Sequence, residues 1–374
     1  MKKILSLFAL LFALTLSSCD KDSSSGETQE EELPTGDVVL SVDRSRIFNT
    51  GVDQATLTVM CGEVDVTDNS TFYCVGAGAA MESNVFTSTV DGKYEFYANY
   101  NNSNTNKVSL AVGGAVEDFP ADPDEANTAF ESTMLMLQFT GAECGYCQDM
   151  IYAIEELEKN EELSSKVEHV AIHSYYGNGA DVLYSVSSVQ LSQAMGVAYY
   201  PTVMFNMDSA LSTNNNGSLD ANYDALYTLI TKNYNDSPAV GICAASSIEN
   251  GVLSANVEVK AAQEGDYNVG MLLIENGVYG YQYGFTDDIE HVNAFRASAD
   301  RTSAYDFSGT WLGEISKGES RSTILDMTLD QTAWDLDNCH ILIYVTAPND
   351  SGDYIIQNVV RCEVGGSIEY QYVN

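Results

Sequence analysis

Two cysteines separated by two residues, Cys144 and Cys147, follow an apolar run at 134–139 and precede a helical pattern. This spacing lets both thiols meet across the first turn of a helix, where unpaired N–H groups and the helix dipole favour a thiolate. We expect Cys144 to lie at the exposed edge and attack, and Cys147 to resolve the mixed disulfide. The motif therefore predicts a thiol-disulfide site between a strand and a helix.

A proline downstream adds to this pattern. Tyr200 and Pro201 lie in a short β segment at 197–205, where a proline suits a strand start or a cis peptide bond. With the cysteine motif, residues 133–237 resemble a thioredoxin-like domain, in which a cis-proline loop faces the disulfide. The resemblance implies that Tyr200 and Pro201 align a bound substrate chain. His173 ends a strand pattern, and we expect an ordinary strand-end residue there.

The residues around the two cysteines leave three interpretations open: a redox-active pair, an inert structural bridge, or half of a zinc site. The intervening Gly145 and Tyr146 resemble the motif of periplasmic disulfide isomerases. Glu143 is expected to oppose thiolate formation by like-charge repulsion. No second cysteine pair has the spacing of zinc ligands. The sequence therefore predicts neither a metal nor a cofactor.

The first residues have the pattern of a secretory signal. Lys2 and Lys3 precede an apolar stretch from Ile4 to Leu16, which is too short to span a bilayer. We therefore expect residues 1–18 to be a signal peptide that directs export.

The signal pattern ends in Leu16-Ser17-Ser18-Cys19, which resembles a lipoprotein signal box, in which the cysteine thiol is acylated. Residues 19–36 are rich in Ser, Glu and Gly and have too few apolar side chains to form a core, so they are expected to be a flexible tether. We expect lipid on Cys19 to anchor the protein to the outer membrane, facing the periplasm or the cell surface.

The charge balance limits the partners. The chain has 54 Asp and Glu against 16 Lys and Arg, for a net charge of −38. Such an excess disfavours binding to nucleic acid and to anionic lipid head groups. The remaining expected partners are exported proteins or peptides with disulfides, an envelope redox partner, and the membrane through the lipid anchor.

Residues 37–114 alternate apolar and polar side chains over short segments, the pattern of a small β-sandwich. This region resembles a bacterial immunoglobulin-like module. Cys61 and Cys74 are predicted to bridge two of its strands. Residues 115–132 follow with prolines and acidic side chains, which indicate a linker.

Residues 238–374 return to β character. Asn-Gly turns at 249–251 and 275–277 separate apolar runs, which predicts a second β-sandwich. Of the cysteines here, Cys339 and Cys362 are the predicted disulfide, which leaves Cys243 unpaired. The tyrosine-rich stretch 279–283 has two interpretations, a ligand-binding face or ordinary strand residues.

The predicted fold class is therefore multidomain α/β plus all-β: an immunoglobulin-like β-sandwich, a thioredoxin-like domain and a C-terminal β-sandwich. Together with Gln282 and the stretch at 291–296, this pattern resembles outer membrane lipoproteins named after a twenty-eight-kilodalton protein. That family is defined by architecture and location more than by a reaction.

Two functions follow from these patterns. The first is a lipid-anchored thiol-disulfide oxidoreductase or isomerase acting on exported proteins. The alternative is a surface binding or adhesion lipoprotein that uses a redox-inert thioredoxin-like scaffold. Fold alone does not separate them. An enzyme predicts an accessible Cys144, whereas a scaffold predicts a buried or reduction-resistant bridge.

Overall fold

The structure is a computed structural model that describes residues 34, 36–44, 46–47, 51, 54–62, 64–90, 92–113, 118–212, 218–249, 251–299, 303–330 and 332–373. The predicted signal peptide, the predicted acylation site at Cys19 and most of the predicted tether lie outside these residues. Within the described ranges, no helix is both long and apolar enough to cross a bilayer.

The N-terminal segment, residues 34–113, forms two small sheets. Its strands are β1 (Val38–Val42), β2 (Arg46–Ile47), β3 (Ala55–Cys61), β4 (Val64–Asp65), β5 (Thr71–Cys74), β6 (Val85–Phe86), β7 (Gly92–Tyr100), β8 (Ser103–Asn104) and β9 (Val108–Val112), with a 3₁₀ helix at Thr67–Asn69. One sheet has the order β1-β3-β4, with β6 also on β3, and the other has the order β2-β9-β7-β5, with β8 on β7. Alternate residues of both sheets, such as Leu57 and Phe96, are fully buried in one shared core.

The predicted bridge between Cys61 and Cys74 is wrong, because both are free thiols. Cys61 ends β3 in one sheet and Cys74 ends β5 in the other. The Cys61 Sγ instead donates to the carbonyl oxygens of Pro34 at 3.4 Å and Gly36 at 3.6 Å. It therefore contacts the chain that enters β1 rather than the opposite sheet.

The central segment, residues 133–237, combines a mixed sheet with helices. Its elements are β10 (Met134–Thr140), α1 (Gln148–Glu158), α2 (Glu161–Ser164), β11 (Val167–His173), α3 (Val186–Ala194), β12 (Thr202–Phe205), β13 (Ser209–Ser212) and α4 (Leu219–Asn233). The strand order is β13-β12-β10-β11; β10 and β11 are parallel, while β12 and β13 run antiparallel to their neighbours.

Every residue of β10 is buried, because helices cover both faces of this sheet. On one face, Met136 of β10 packs in a core with α1 and α4 through Ile154 and Leu226. On the other face, Phe139 packs in a core that includes Leu191 of α3. The cysteine motif lies in the turn that leaves β10 and enters α1, at the edge of this layered core.

The C-terminal segment, residues 238–374, is built of strands. They are β14 (Val240–Glu249), β15 (Val252–Ala261), β16 (Gly265–Glu275), β17 (Val278–Gly280), β18 (Ile289–His291), β19 (Ala294–Ser298), β20 (Thr310–Ile315), β21 (Ser320–Thr328), β22 (Cys339–Pro348), β23 (Tyr354–Glu363) and β24 (Ser367–Ile368), with a 3₁₀ helix at Leu336–Asn338. One sheet, in the order β21-β15-β14-β24, packs over a core shared with β16, β22 and β23.

The central and C-terminal segments share a single sheet, which the sequence did not predict. Strand β19 pairs in parallel with β11 at Ala171 and Ala294, and the order continues β19-β16-β22-β23. Strand β23 also returns to the central segment, because the Ile356 N–H donates to the Asn206 carbonyl oxygen at 3.0 Å. The hairpin of β17 and β18 is a separate two-stranded sheet that precedes β19 in the chain. The loop between its strands reaches the cysteine motif, where the Tyr283 N–H donates to the Ala142 carbonyl oxygen.

The predicted bridge between Cys339 and Cys362 is also wrong, because both are buried free thiols. In the register of β22 and β23, Cys362 faces Ile341, so the two cysteines are diagonal neighbours. Diagonal positions lie about 7–8 Å apart, beyond the usual Cα separation of a disulfide. Burial raises the pKa of Cys339 to about 12 and that of Cys362 to about 11, so both thiols stay protonated.

The predicted linker at 115–132 is docked where the structure describes it, from residue 118 onward. The Asp122 carboxylate accepts from Lys260 Nζ at 2.7 Å, and both side chains are largely buried. The Cys243 Sγ donates to the Pro120 carbonyl oxygen at 3.4 Å. Phe130 stacks on Tyr372 at a ring distance of 5.1 Å. This stretch is therefore part of the C-terminal core.

Candidate functional site

The two motif cysteines are joined in a disulfide at the start of α1. Cys144 and Cys147 have Cα atoms 5.4 Å apart. The Cys147 N–H donates to the Cys144 carbonyl oxygen at 3.2 Å, and the Cys147 carbonyl oxygen accepts from Ile151 at 3.0 Å. Cys147 thus caps the helix, while Cys144 lies in the preceding turn. A thiolate formed here would lie near the positive end of α1.

Both cysteines are buried, which corrects the expectation of an exposed Cys144: it is 4% exposed and Cys147 is 0% exposed. The cover is residues 281–285 of the C-terminal segment, which we name the covering segment. The Tyr283 N–H donates to the Ala142 carbonyl oxygen at 2.7 Å, and Gln148 Nε2 donates to the Gly284 carbonyl oxygen at 3.3 Å. The local motif could not reveal this cover, because it lies over 130 residues further along the chain.

The Tyr283 ring lies against Gly145, which stands between the cysteines. A Cβ atom on Gly145 would lie 3.4 Å from this ring, an ordinary contact distance. On the same side, Tyr152 of α1 packs against Phe285 at a ring distance of 5.4 Å. Access to Cys144 therefore depends on the position of the covering segment.

The carboxylate of Glu143 points into a loop rather than being free beside the sulfur atoms. Its Oε2 accepts from the backbone N–H groups of Asn178 and Gly179, the latter at 3.1 Å. Backbone donors 35 and 36 residues away therefore hold this carboxylate, a contact that the sequence did not predict.

A buried hydrogen-bonded pair, His173 and Asp181, supports the turn that carries Cys144. His173 Nδ1 lies 2.8 Å from Asp181 Oδ2, and both side chains are almost fully buried. The same Asp181 oxygen accepts from the Ala142 N–H at 2.7 Å. Burial alone would raise the pKa of Asp181, but its hydrogen bonds with His173, Ala142 and Leu183 outweigh that effect and lower it.

Two buried polar residues of the C-terminal segment complete this cluster. The His291 ring packs edge-on against the His173 ring at 5.1 Å, and burial beside His173 lowers the pKa of His291 to about 4. Gln282 is fully buried, and its side-chain amide has no hydrogen-bond partner among the described residues. The sequence predicted no role for Asp181 or His291: Asp181 reaches the motif from the loop after β11, and His291 from β18 of the C-terminal segment.

The second predicted site element lies next to this turn. The Tyr200–Pro201 peptide is cis, one of the two arrangements that the sequence predicted. The Tyr200 hydroxyl is 3.0 Å from that of Ser192, and its ring packs against Tyr175 at 5.5 Å. Tyr175 in turn abuts Gly141, where a Cβ would lie 2.7 Å from the Tyr175 Cβ. One aromatic ring thus separates Tyr200 from the turn that precedes Cys144.

A cleft that is large enough for a small ligand lies away from the disulfide. A cleft of about 1140 Å³ separates the N-terminal and C-terminal segments, lined by Arg46, Asn268, Trp311 and Tyr354 among others. None of its lining residues belongs to the cysteine motif or the covering segment. Over the ranges that the structure describes, no group of three His, Cys, Asp or Glu side chains could hold a metal ion.

Comparisons with known proteins give distant likenesses. No protein-family model matches the chain, and no curated protein matches it. Among solved structures, HBP35 of Porphyromonas gingivalis is 16% identical with a TM-score of 0.49, over 66% of this chain and 79% of that one. A structural-genomics protein of Agrobacterium tumefaciens is 13% identical with a TM-score of 0.41, over 66% of this chain and 100% of that one.

Proposed function

We propose that the protein is a thiol-disulfide oxidoreductase whose reactive pair is Cys144 and Cys147. The observation that carries the proposal is the disulfide at the start of α1, in the turn that leaves β10. This is a place where a thiolate is stabilised by the helix dipole and by unpaired N–H groups. The strand order β13-β12-β10-β11 and the cis peptide before Pro201 support a thioredoxin-like domain as the frame.

In the reaction, the Cys144 thiolate attacks one sulfur of a substrate disulfide. A bond forms between Cys144 and that sulfur, and the other substrate sulfur leaves as a thiolate and takes a proton. The Cys147 thiolate then attacks the Cys144 sulfur and releases the second substrate thiol. The substrate gains two electrons and the protein becomes the disulfide seen here. A dithiol reductant of the envelope restores the pair. In the reverse direction a substrate dithiol is oxidised by the Cys144–Cys147 disulfide, and an oxidising partner of the envelope takes the two electrons and regenerates that disulfide.

The remaining parts of the architecture have roles around this chemistry. The two sheets of the N-terminal segment support an immunoglobulin-like spacer, and the C-terminal sheets support a β-sandwich that supplies the covering segment. Lipid on Cys19 would hold the protein at the outer membrane, where exported proteins with disulfides are its substrates. Tyr200 and Pro201 would align the substrate chain against Cys144.

One observation favours the alternative function. Cys144 is only 4% exposed, and burial of a bridge is what a redox-inert binding scaffold predicts. The two functions differ in whether the covering segment yields to a substrate. In the oxidoreductase it moves aside when a substrate binds, whereas in the scaffold it permanently seals the bridge.

The test is exchange with a fluorogenic disulfide peptide under a thiol reductant. We expect the wild-type protein to turn over and Cys144→Ser to lose turnover. Cys147→Ser should accumulate a mixed disulfide at Cys144 that mass spectrometry locates, because the resolving thiol is gone. The matched control is Cys74→Ser, which removes a partly exposed free thiol on β5. Equal turnover in wild type and Cys144→Ser would support the scaffold instead.

A further inference from the structure

The loops around the disulfide carry an unusual number of exposed aromatic side chains. We name them the tyrosine face: Tyr146, Tyr176, Tyr199, Tyr279, Tyr281 and Tyr283. Their exposed fractions lie between 42% and 68%, and they include most of the exposed tyrosines in the described residues. Exposed aromatic rings grouped in this way mark interaction surfaces, whereas ordinary exposed apolar residues are scattered singly.

Each part of the tyrosine face is tied to the turn that holds Cys144. Tyr146 lies between the two cysteines, and the Tyr283 ring lies against Gly145. The loop that carries Tyr176 holds the Glu143 carboxylate through backbone N–H groups at 178–179.

The remaining tyrosines follow the same pattern. Tyr199 adjoins Tyr200, whose ring packs on Tyr175 beside Gly141. Tyr279 precedes Gly280, where a Cβ would lie 2.9 Å from the Val182 side chain. The six tyrosines therefore lie on segments that contact the turn holding Cys144 or the loop packed beside it.

The charged side chains in the segments around the disulfide are acidic. The four segments at 141–149, 174–184, 196–201 and 279–290 contain no lysine and no arginine. They contain six carboxylates: Asp181 is buried against His173, and the other five are Glu143, Asp149, Asp287, Asp288 and Glu290. Glu290 also accepts a hydrogen bond from the Tyr279 hydroxyl at 3.2 Å, which places a charge against the tyrosine face.

We propose that the tyrosine face binds a cationic polypeptide segment, in which lysine or arginine residues flank the cysteine that is presented to Cys144. Aromatic rings attract cations through the negative potential of their faces, and tyrosine is among the better side chains for this contact. The surrounding carboxylates attract the same partner and repel an acidic one. Such a segment would be the substrate class of the proposed oxidoreductase. Only the exchange step rests on that proposed function, and binding of the segment does not.

Binding is tested separately from chemistry, with the purified oxidised protein and a short cysteine-free peptide. The peptide carries three arginines, and its counterpart has glutamine at those three positions. By titration calorimetry in about 20 mM salt, we expect the arginine peptide to bind at least roughly tenfold more tightly. This preference should shrink in about 200 mM salt, because exposed charges are then screened.

Variants separate the tyrosine face from the overall negative charge. Replacing Tyr176, Tyr199 and Tyr279 by serine should weaken binding of the arginine peptide roughly tenfold, since all three side chains are about two-thirds exposed. The same three positions changed to phenylalanine should restore most of the affinity, because the ring is retained. The matched control replaces the exposed Tyr227 and Tyr305 by serine, and we expect it to bind as the wild type does.

The outcomes are distinct. Equal affinity for both peptides, or an equal loss in the control variant, would overturn the inference and leave only non-specific attraction to an acidic protein. Preferential binding without exchange on a cysteine-containing arginine peptide would support the tyrosine face and overturn the oxidoreductase. Exchange at equal rates on arginine and glutamine peptides would support the oxidoreductase and overturn the inference.

Discussion

At the scale of single residues, the groups that contact the turn around Cys144 are not the ones that its neighbours in the sequence suggest. Glu143 is adjacent in the chain, yet its carboxylate is held by the amides of Asn178 and Gly179. Asp181 is 37 positions away, yet it accepts from the Ala142 N–H. The spacing alone predicted that the two cysteines meet at the start of a helix, but the groups around them come from loops that only the fold brings together.

The pKa of His291 predicts how stability depends on pH. Its folded value of about 4 lies below the unfolded value near 6.5, because burial and the adjacent His173 disfavour the charged ring; Asp181 opposes this only in part. Between these two values the unfolded chain binds the additional proton, so stability falls as the pH falls. The loss should reach about 2 kcal/mol by pH 5.

Urea denaturation at pH 7 and pH 5 checks this. His291→Phe removes the titrating ring, so the difference between the two pH values should become smaller by about 2 kcal/mol than in the wild type. An unchanged difference would mean that His291 is not buried as a neutral ring beside His173.

At the scale of elements, local patterns predicted the helices well. The sequence at 186–195, which is followed by Gly196, and at 219–234 predicts two helices, and α3 and α4 occupy these ranges within one residue. Ser185 and Ser218 cap them by accepting from backbone N–H groups in the first turn, which is a signal that sequence carries. Strands β14 and β15 are antiparallel neighbours with Glu249 paired with Val252, as the predicted turn at 249–251 requires, and Gly251 has a positive φ of 79°.

Strand pairing was not predictable in the same way. Ala171 and Ala294 pair across 123 positions, and nothing in the pattern around either residue specifies the other. Both are apolar residues of short buried strands, which fit many neighbours. The position of the covering segment depends on this pairing, so local sequence patterns could not predict that Cys144 is buried.

One buried side chain joins the elements that this pairing brings together. The Asn358 side chain on β23 accepts from the Thr133 N–H and donates to the carbonyl oxygens of Glu131 and Val240, each at 3.0 Å. Asn358→Leu would leave these backbone groups unpaired, at a cost of about 3 kcal/mol in the free energy of unfolding.

Chemical denaturation of Asn358→Leu and of Gln357→Leu measures this effect. Gln357 is the neighbouring amide on the same strand, and its side chain donates only to Ile355 two residues away. We expect the control to change by less than about 1 kcal/mol. Equal, small losses in both variants would show that Asn358 does not hold the segments together.

At the scale of the whole molecule, composition divided the chain into segments but gave no information on how they join. The acidic, proline-containing stretch at 115–132 is typical of a free linker, yet Asp122 pairs with a buried Lys260. The cysteine count predicted two further bridges, whereas burial in hydrophobic cores accounts for Cys61, Cys339 and Cys362. A cysteine that is buried as a free thiol and a cysteine that forms a disulfide can occur in the same sequence pattern, so the pattern does not distinguish them.

A buried ion pair joins the first and last segments. Arg46 Nε lies 3.2 Å from Asp326 Oδ2, and these side chains are 11% and 5% exposed. Asp326→Ala would leave the guanidinium buried without its carboxylate, so we expect a loss of about 3 kcal/mol in the free energy of unfolding. The double variant Arg46→Met with Asp326→Leu should recover much of it, because neither charge is then buried.

Differential scanning calorimetry of the single and double variants tests this pair. We expect the melting temperature of the single variant to be the lower of the two. If the double variant melts below Asp326→Ala, the pair contributes net stability and the argument from unpaired charge is wrong.

The most direct test of the central claim is the reduction potential of the Cys144–Cys147 pair. The folded protein is equilibrated in glutathione buffers, its thiols are trapped, and mass spectrometry identifies which cysteines are reduced. The account predicts a potential between about −120 and −270 mV, the range of catalytic dithiols. A value below about −300 mV, or a pair that is reduced only when the protein unfolds, would contradict it and identify a structural bridge sealed by the covering segment.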